Sequence, residues 1–158
     1  MSRAFVSESA SESSEENAPE LKIPLPPGAK NYVTPEGARH LRAELDALLA
    51  MAQPRLRETE RRIQYLSRMA AIMEVVEPNQ AAPSRVTFGV WVSVTEGEEE
   101  RTYRIVGVDE SVPEKGLVSW VSPIARAMTG KKPGDTVTVP LPTGAKLITI
   151  RSVRGHSP

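Results

Sequence analysis

Between Arg55 and Arg68 the sequence sets Arg55, Arg57, Arg61, Arg62 and Arg68 around two carboxylates, Glu58 and Glu60. Carboxylates supply the oxygen ligands that a hard ion such as Mg²⁺ takes. Side chains two apart on a helix point to different faces, however, so Glu58 and Glu60 do not converge on one ion. Guanidinium groups recognise phosphate and carboxylate. The arginines are therefore either a solvated charged face or a basic patch turned towards RNA or an acidic partner. His40 and His156 have no third ligand spaced for zinc. The absence of cysteine removes disulfides, thiolate metal sites and a cysteine nucleophile. No glycine-rich phosphate loop or Ser-His-Asp arrangement stands out. No catalytic residue, metal, cofactor or small-molecule substrate is expected, and the chain does not read as an enzyme.

The stretch that carries these charges also carries two apolar stripes. Ala38, Leu41, Leu45, Leu48 and Ala52 step by three and four, as do Leu56, Thr59, Ile63, Leu66, Ala70 and Met73. That is a heptad seam on each arm of a short antiparallel helical hairpin, Thr34 to Glu77, hinged at Pro54. Thr34 suits the N-cap, Pro35 the first helical position, and Glu36 the positive end of the helix dipole. Pro54 ends the first helix or starts the second, because the residue before a proline avoids the helical region.

From Arg85 onward the period changes towards two. Val86, Phe88, Val90, Val92 and Val94 alternate as in a half-buried strand. Glu96-Gly97-Glu98-Glu99-Glu100 turns the chain into a second strand, Thr102 to Val108, and a third runs from Leu117 to Val121. Ser122-Pro123 caps a short helix, Ile124 to Thr129, and strands Thr136 to Pro140 and Lys146 to Val153 follow. The expected class is α+β, with a helical hairpin followed by an antiparallel β-sheet wrapped around one short helix. The divisions are a Ser/Glu/Pro-rich tail over 1–30, the hairpin over 31–78, a linker over 79–84 and the sheet domain over 85–155.

The chain has 158 residues, 39% of them hydrophobic and 25% charged, with zero formal net charge. A core is affordable, and binding driven by a bulk positive field is not indicated. Within the tail, Arg3, Lys22 and Lys30 stand against Glu8, Glu12, Glu15, Glu16 and Glu20, a balance of −2. It reads as a solvated leader, with a short docking peptide at Ala4-Phe5-Val6 as the lesser reading. No run approaches the length of a membrane span, and the N-terminus lacks the order of a secretion signal. A soluble cytoplasmic protein with no membrane partner is expected.

Several stretches resemble the GreA/GreB family of bacterial transcript-cleavage and elongation factors, over about residues 31–153. They are Asn31-Tyr32-Val33-Thr34-Pro35-Glu36-Gly37, Phe88-Gly89, Arg104-Ile105-Val106-Gly107, and Ser122-Pro123-Ile124-Ala125-Arg126-Ala127-Met128 followed by Gly134-Asp135. Arg61-Arg62-Ile63-Gln64-Tyr65-Leu66, running on to Val75-Val76, is similar to the GreB second arm. The resemblance implies an FKBP-like C-terminal domain that docks on the rim of the RNA polymerase secondary channel, with the coiled coil reaching inside. It places docking at Val121, Ser122, Pro123 and Ile124, and the hairpin tip at Gln53, Pro54, Arg55 and Arg57.

Two departures matter. Full-length members carry an acidic Asp-x-x-Glu-Asn element at the tip that helps hold a second Mg²⁺ at the polymerase active centre, where a metal can activate the attacking water. Here Ala52-Gln53-Pro54 passes straight into Arg55-Leu56-Arg57. About a dozen residues are missing from each arm, which shortens the hairpin by roughly 18 Å at about 1.5 Å per residue. Secondly, the position before the Ser-Pro pair, often acidic in GreB-like members, is Val121. The expected function is a polymerase-binding elongation regulator without transcript-cleavage stimulation, like the short-hairpin Rnk-type proteins, with a basic tip and possible contact to nucleic acid in the elongation complex. The alternatives are an FKBP-like prolyl isomerase, for which Phe88, Trp91, Tyr103 and Trp120 are the available aromatics, and a helical-hairpin adaptor for some other protein.

Overall fold

A computed structural model describes residues 23–78, 81 and 83–158. Residues 1–22 of the expected tail, and 79, 80 and 82 of the expected linker, lie outside the described residues. The chain enters through a short strand, β1 (Asn31–Val33), and then forms helix α1 (Pro35–Leu49). The Thr34 hydroxyl accepts from the Gly37 N–H at 3.1 Å, and Pro35 occupies the first turn, so the N-terminal signals act as the sequence predicts. Helix α2 (Arg57–Ala71) returns antiparallel, with Arg62 and Glu44 meeting across the pair.

The apolar seam closes at one end only. Ala38, Leu41, Ile63 and Leu66 are buried, Leu45, Leu48, Thr59 and Ala70 are half-buried, and Ala52 and Leu56 are exposed. Helix α1 stops at Leu49, short of Pro54, and α2 does not begin until Arg57. The last turn of the expected second helix is also different. Beyond Ile72 the chain reverses into β2 (Met73–Val75), which pairs parallel with β1 in the register Asn31↔Met73 and Val33↔Val75. The Asn31 N–H donates to the Ile72 carbonyl and the Val76 N–H to the Val33 carbonyl, both at 2.9 Å. β-branched Val75 and Val76 suit a strand, and β1 offers backbone groups that need partners, so pairing overrides the helical period there.

The remaining strands form a five-stranded sheet in the order β5-β4-β3-β7-β6: β3 (Trp91–Glu96), β4 (Glu99–Val106), β5 (Leu117–Ser119), β6 (Thr136–Leu141) and β7 (Gly144–Arg154). β3 and β4 are joined by Gly97-Glu98, with Gly97 at φ +64, the left-handed conformation that a tight hairpin turn requires. Most pairings are antiparallel as expected, but β4 and β5 run parallel, linked by a single-turn 3₁₀ helix at Pro113–Lys115. The sheet curls about helix α3 (Pro123–Met128), whose Ala125 and Met128 are fully buried among Val92, Val94, Ile105, Val137, Ile148 and Ile150.

The alternation from Val86 to Val94 holds in burial only from Val90 onward, since Phe88 is half-buried and Gly89 is buried. Val86 and Val90 are fully buried, yet the strand starts only at Trp91. Gly89 sits at φ +86 with its N–H on the Ile105 carbonyl, and Val86 exchanges backbone hydrogen bonds with Gly130 and Lys131 in the turn after α3. Among the described residues no helix is long and apolar enough to cross a membrane.

Candidate functional site

The hairpin tip is the loop 50–56 between α1 and α2, and it contains Gln53, Pro54 and Arg55, with Arg57 opening α2. Arg55 is not a free cation there. Its Nη2 donates to the Leu49 carbonyl at 2.7 Å, its Nε to the Met51 carbonyl at 3.1 Å, and its Nη1 meets Glu60 at 3.3 Å. The last carbonyls of a helix lack intrahelical partners, and this guanidinium supplies them. Glu60 is drawn into the same bracing. Beside exposed Gln53, Pro54 and Arg57 the tip displays large apolar side chains: Leu49 is 49% exposed, Met51 48% and Leu56 75%. Of the two arginines expected at the tip, Arg55 is engaged and Arg57 is exposed, so the tip surface combines apolar side chains with Gln53, Pro54 and Arg57. Leu56, placed in the seam by its spacing, faces solvent because α1 has already ended opposite it.

At the other end of the hairpin, α1 and α2 seal onto the sheet. Leu41, Leu66 and Met69 pack with Val108 and Val121. Val121 is only 2% exposed, so its side chain belongs to this interface and cannot meet a partner, a correction to its place among the docking residues. A carboxylate here would be buried without a counter-ion, which accounts physically for an apolar residue at this position. Ser122 caps α3, accepting from the Ala125 N–H at 3.4 Å and donating to the Ser119 carbonyl at 2.6 Å. Ile124 is half-buried against the main core, and Pro123 is exposed. Of the four expected docking residues, Pro123 presents the freest surface.

Glu110 was not singled out by the sequence and proves central to the base. Its carboxylate accepts from the Thr34 N–H at 3.0 Å, the Gly107 N–H at 2.9 Å and the Thr34 hydroxyl. A Cβ at Gly37 would overlap that carboxyl and force Glu110 to shift off these partners. Nearby, the Tyr65 hydroxyl donates to both Asp109 oxygens, at 2.7 and 2.9 Å. Burial, then the bond to Asp109, pushes the Tyr65 phenol well above its ordinary range. Arg62 lies over the Tyr65 ring and makes a bidentate contact with Glu44, at 2.7 and 2.9 Å. These contacts fix the angle at which the hairpin leaves the sheet.

Beside α3 an aromatic cleft of about 550 Å³ opens between Tyr32, Phe88, Trp120, Ile105 and Arg126. Tyr32 stands edge-on to Trp120 at 5.3 Å and is 6.4 Å from Phe88. Strand pairing of β1 brings Tyr32 here, so its part in the cleft was not visible from spacing. Trp91 and Tyr103 lie elsewhere: Trp91 stacks under Arg104, and Tyr103 donates to Glu96. Among the described residues no group of three or more His, Asp or Glu side chains could hold a metal ion.

Residues 80–154 match the family described as transcription elongation factor, GreA/GreB, C-term. Over 151 residues the chain is 34% identical to transcription elongation factor GreB of Yersinia pestis, covering 78% of this chain and 88% of that relative. The chain belongs to the GreA/GreB family. A second family member, transcription elongation factor GreB of Pasteurella multocida, is 38% identical over 100 residues, 63% of each chain. A solved GreA/GreB elongation factor from Nitrosomonas europaea, 24% identical, covers 79% of this chain and 99% of that one at a TM-score of 0.41. The Yersinia alignment is informative in its lengths. Its 78% share of 158 residues is about 123, so about 28 of the 151 positions have no counterpart in this GreA/GreB chain.

Proposed function

We propose that this chain is an RNA polymerase-binding elongation regulator of the cytoplasm, with a hairpin that does not deliver metal-holding carboxylates to the polymerase active centre. The observation that carries the reading is the tip. Loop 50–56 has no carboxylate, its arginine is spent on capping α1, and its exposed large apolar side chains are Met51 and Leu56, next to Leu49 at the end of α1.

On this reading 31–78 is the hairpin, 79–84 the linker, and 85–155 an FKBP-like domain that docks at the rim of the secondary channel. Pro123 and the aromatic cleft beside α3 form the docking face, with Arg126 on its wall; Ser122 and Ile124 hold α3 in place, and Val121 acts from inside the hairpin–sheet seal. The hairpin then enters the channel mouth, where Leu49, Met51 and Leu56 suit a protein wall better than RNA or a metal ion. Purified chain mixed with core polymerase should co-elute with it, and Pro123→Asp should weaken that association at least tenfold. Binding unchanged by Pro123→Asp and by a charge placed in the cleft, Phe88→Asp, would reject the docking face.

The aromatic cleft also keeps the prolyl-isomerase reading open, because such activity needs an apolar pocket for the proline ring. Fold alone does not confer it. Acceleration of cis–trans exchange in a proline peptide, abolished by Phe88→Asp, would favour that reading.

A further inference from the structure

Where α1 lies over the sheet, a cleft of about 370 Å³ remains open. Its floor is apolar, built by Leu41, Leu66, Val106, Val112 and Leu117. Glu36, His40 and Glu44 follow one another at steps of four on α1, so they stand along one side of it. Asp109 and Glu110 join them from the loop after β4, and Arg62 and Arg104 also line the cleft. Four carboxylates thus face two guanidinium groups, a balance of −2. Glu110 is engaged by Thr34 and Gly107, and Glu44 by Arg62. Glu36 is held loosely: Arg104 is 3.7 Å away and is drawn aside to the Gly89 carbonyl and the Trp91 ring. Asp109 accepts from the Tyr65 hydroxyl and, among the described residues, has no ion pair.

We propose that this cleft binds a linear polyamine. Its volume and apolar floor are those of a small-molecule site. Among the described residues no three acidic or histidine side chains converge where a metal ion could sit, so positive charge must be met at separate points. Glu36 and Glu44 are roughly 12 Å apart along α1, at about 1.5 Å per residue. Arg62 pairs with Glu44 and lies over the Tyr65 ring, whose hydroxyl is on Asp109, so Asp109 belongs to the Glu44 end. One ammonium group then meets Glu36 and another Asp109, while the methylene chain between them covers Leu41, Val112 and Leu117. Arg62 opposes a cation at its end, but it is one charge between two carboxylates. A ligand so placed touches α1 and the loop after β4 together, and it braces the hairpin against the sheet. The inference rests on this cleft alone, not on polymerase binding.

Spermidine added to the full chain at low salt should shift the amide signals of residues 36–44 and 104–112 in a saturable way and raise the unfolding midpoint. Putrescine, whose chain is too short to reach both ends, should bind more weakly by about fivefold, the loss of one partly exposed ion pair. Glu36→Gln should weaken spermidine by a similar factor. Glu58→Gln, the same charge change on α2 outside the cleft, should leave its affinity unchanged. Both positions are exposed, so folding is not at stake. The absence of saturable shifts in these residues would overturn the proposal. So would equal affinities for spermidine and putrescine, or equal losses in the two variants, either of which reduces the effect to general attraction between a polycation and carboxylates.

Discussion

At the base of the hairpin Leu41, Leu66 and Met69 are sealed against Val108 and Val121, while at the other end Leu49, Met51 and Leu56 stand in solvent. Both ends are apolar in composition, and they differ in what covers them. The base has the curled sheet above it and a carboxylate, Glu110, threaded through Thr34 and Gly107 to fix the exit angle. The tip has only its own loop, held by one arginine. A hairpin so fixed at its root acts as a pointer whose direction is set by the sheet domain, and whose end is free to make a surface contact.

The largest test of that contrast is Val121→Asp. A carboxylate forced into the seal has no counter-ion, and the variant should lose about 3–5 kcal/mol in denaturant unfolding. A loss below about 1 kcal/mol would mean that the base is looser than the structure indicates. Leu66→Ala, at a side chain 1% exposed, should cost about 2–4 kcal/mol.

The sheet end supplies a pH-dependent comparison. Burial opposes ionisation of Glu96, but its bonds to Lys146 and Tyr103 and the charges of Lys146 and Arg101 outweigh that and hold its carboxyl below the ordinary 4.5. The stability it contributes is therefore present in full above about pH 4.5 and lost as the pH falls through the lowered value. Glu96→Gln should destabilise by about 1–2 kcal/mol at neutral pH and flatten the acid limb of the unfolding curve. An unchanged limb would contradict this assignment.

At the tip the expected effects on stability are small. Arg55→Ala leaves two carbonyls without their donor and should cost about 1 kcal/mol, with faster amide exchange confined to 49–57. Leu56→Ser should change stability by less than about 0.5 kcal/mol, yet weaken association with polymerase if the tip touches a protein wall. A large stability loss from Leu56→Ser would put the tip in the core and erase the comparison.

The elements legible in the sequence were those whose signals are local. The Thr34-Pro35-Glu36 start, the Ser122-Pro123 cap and the seam at Ala38, Leu41, Ile63 and Leu66 depend on residues within a turn or two of one another. β2 was missed because Met73 continues the helical period, while the strand that captures it lies at Asn31–Val33. Val121 was assigned to the surface with its neighbours in the motif, and only the hairpin folding back over it makes it interior. Arg55 counts as a charge in the sequence, and its work as a cap depends on where α1 happens to end. The apolar tip was hidden for the same reason, since Leu56 keeps the spacing of a seam that has no opposite wall.

A stalled, backtracked elongation complex reads out directly what the hairpin does there. The chain should bind core polymerase and leave the length of the backtracked RNA unchanged at saturating protein and Mg²⁺. Shortening of that RNA at a rate well above the intrinsic rate of the polymerase would contradict the claim that this hairpin lacks a cleaving end.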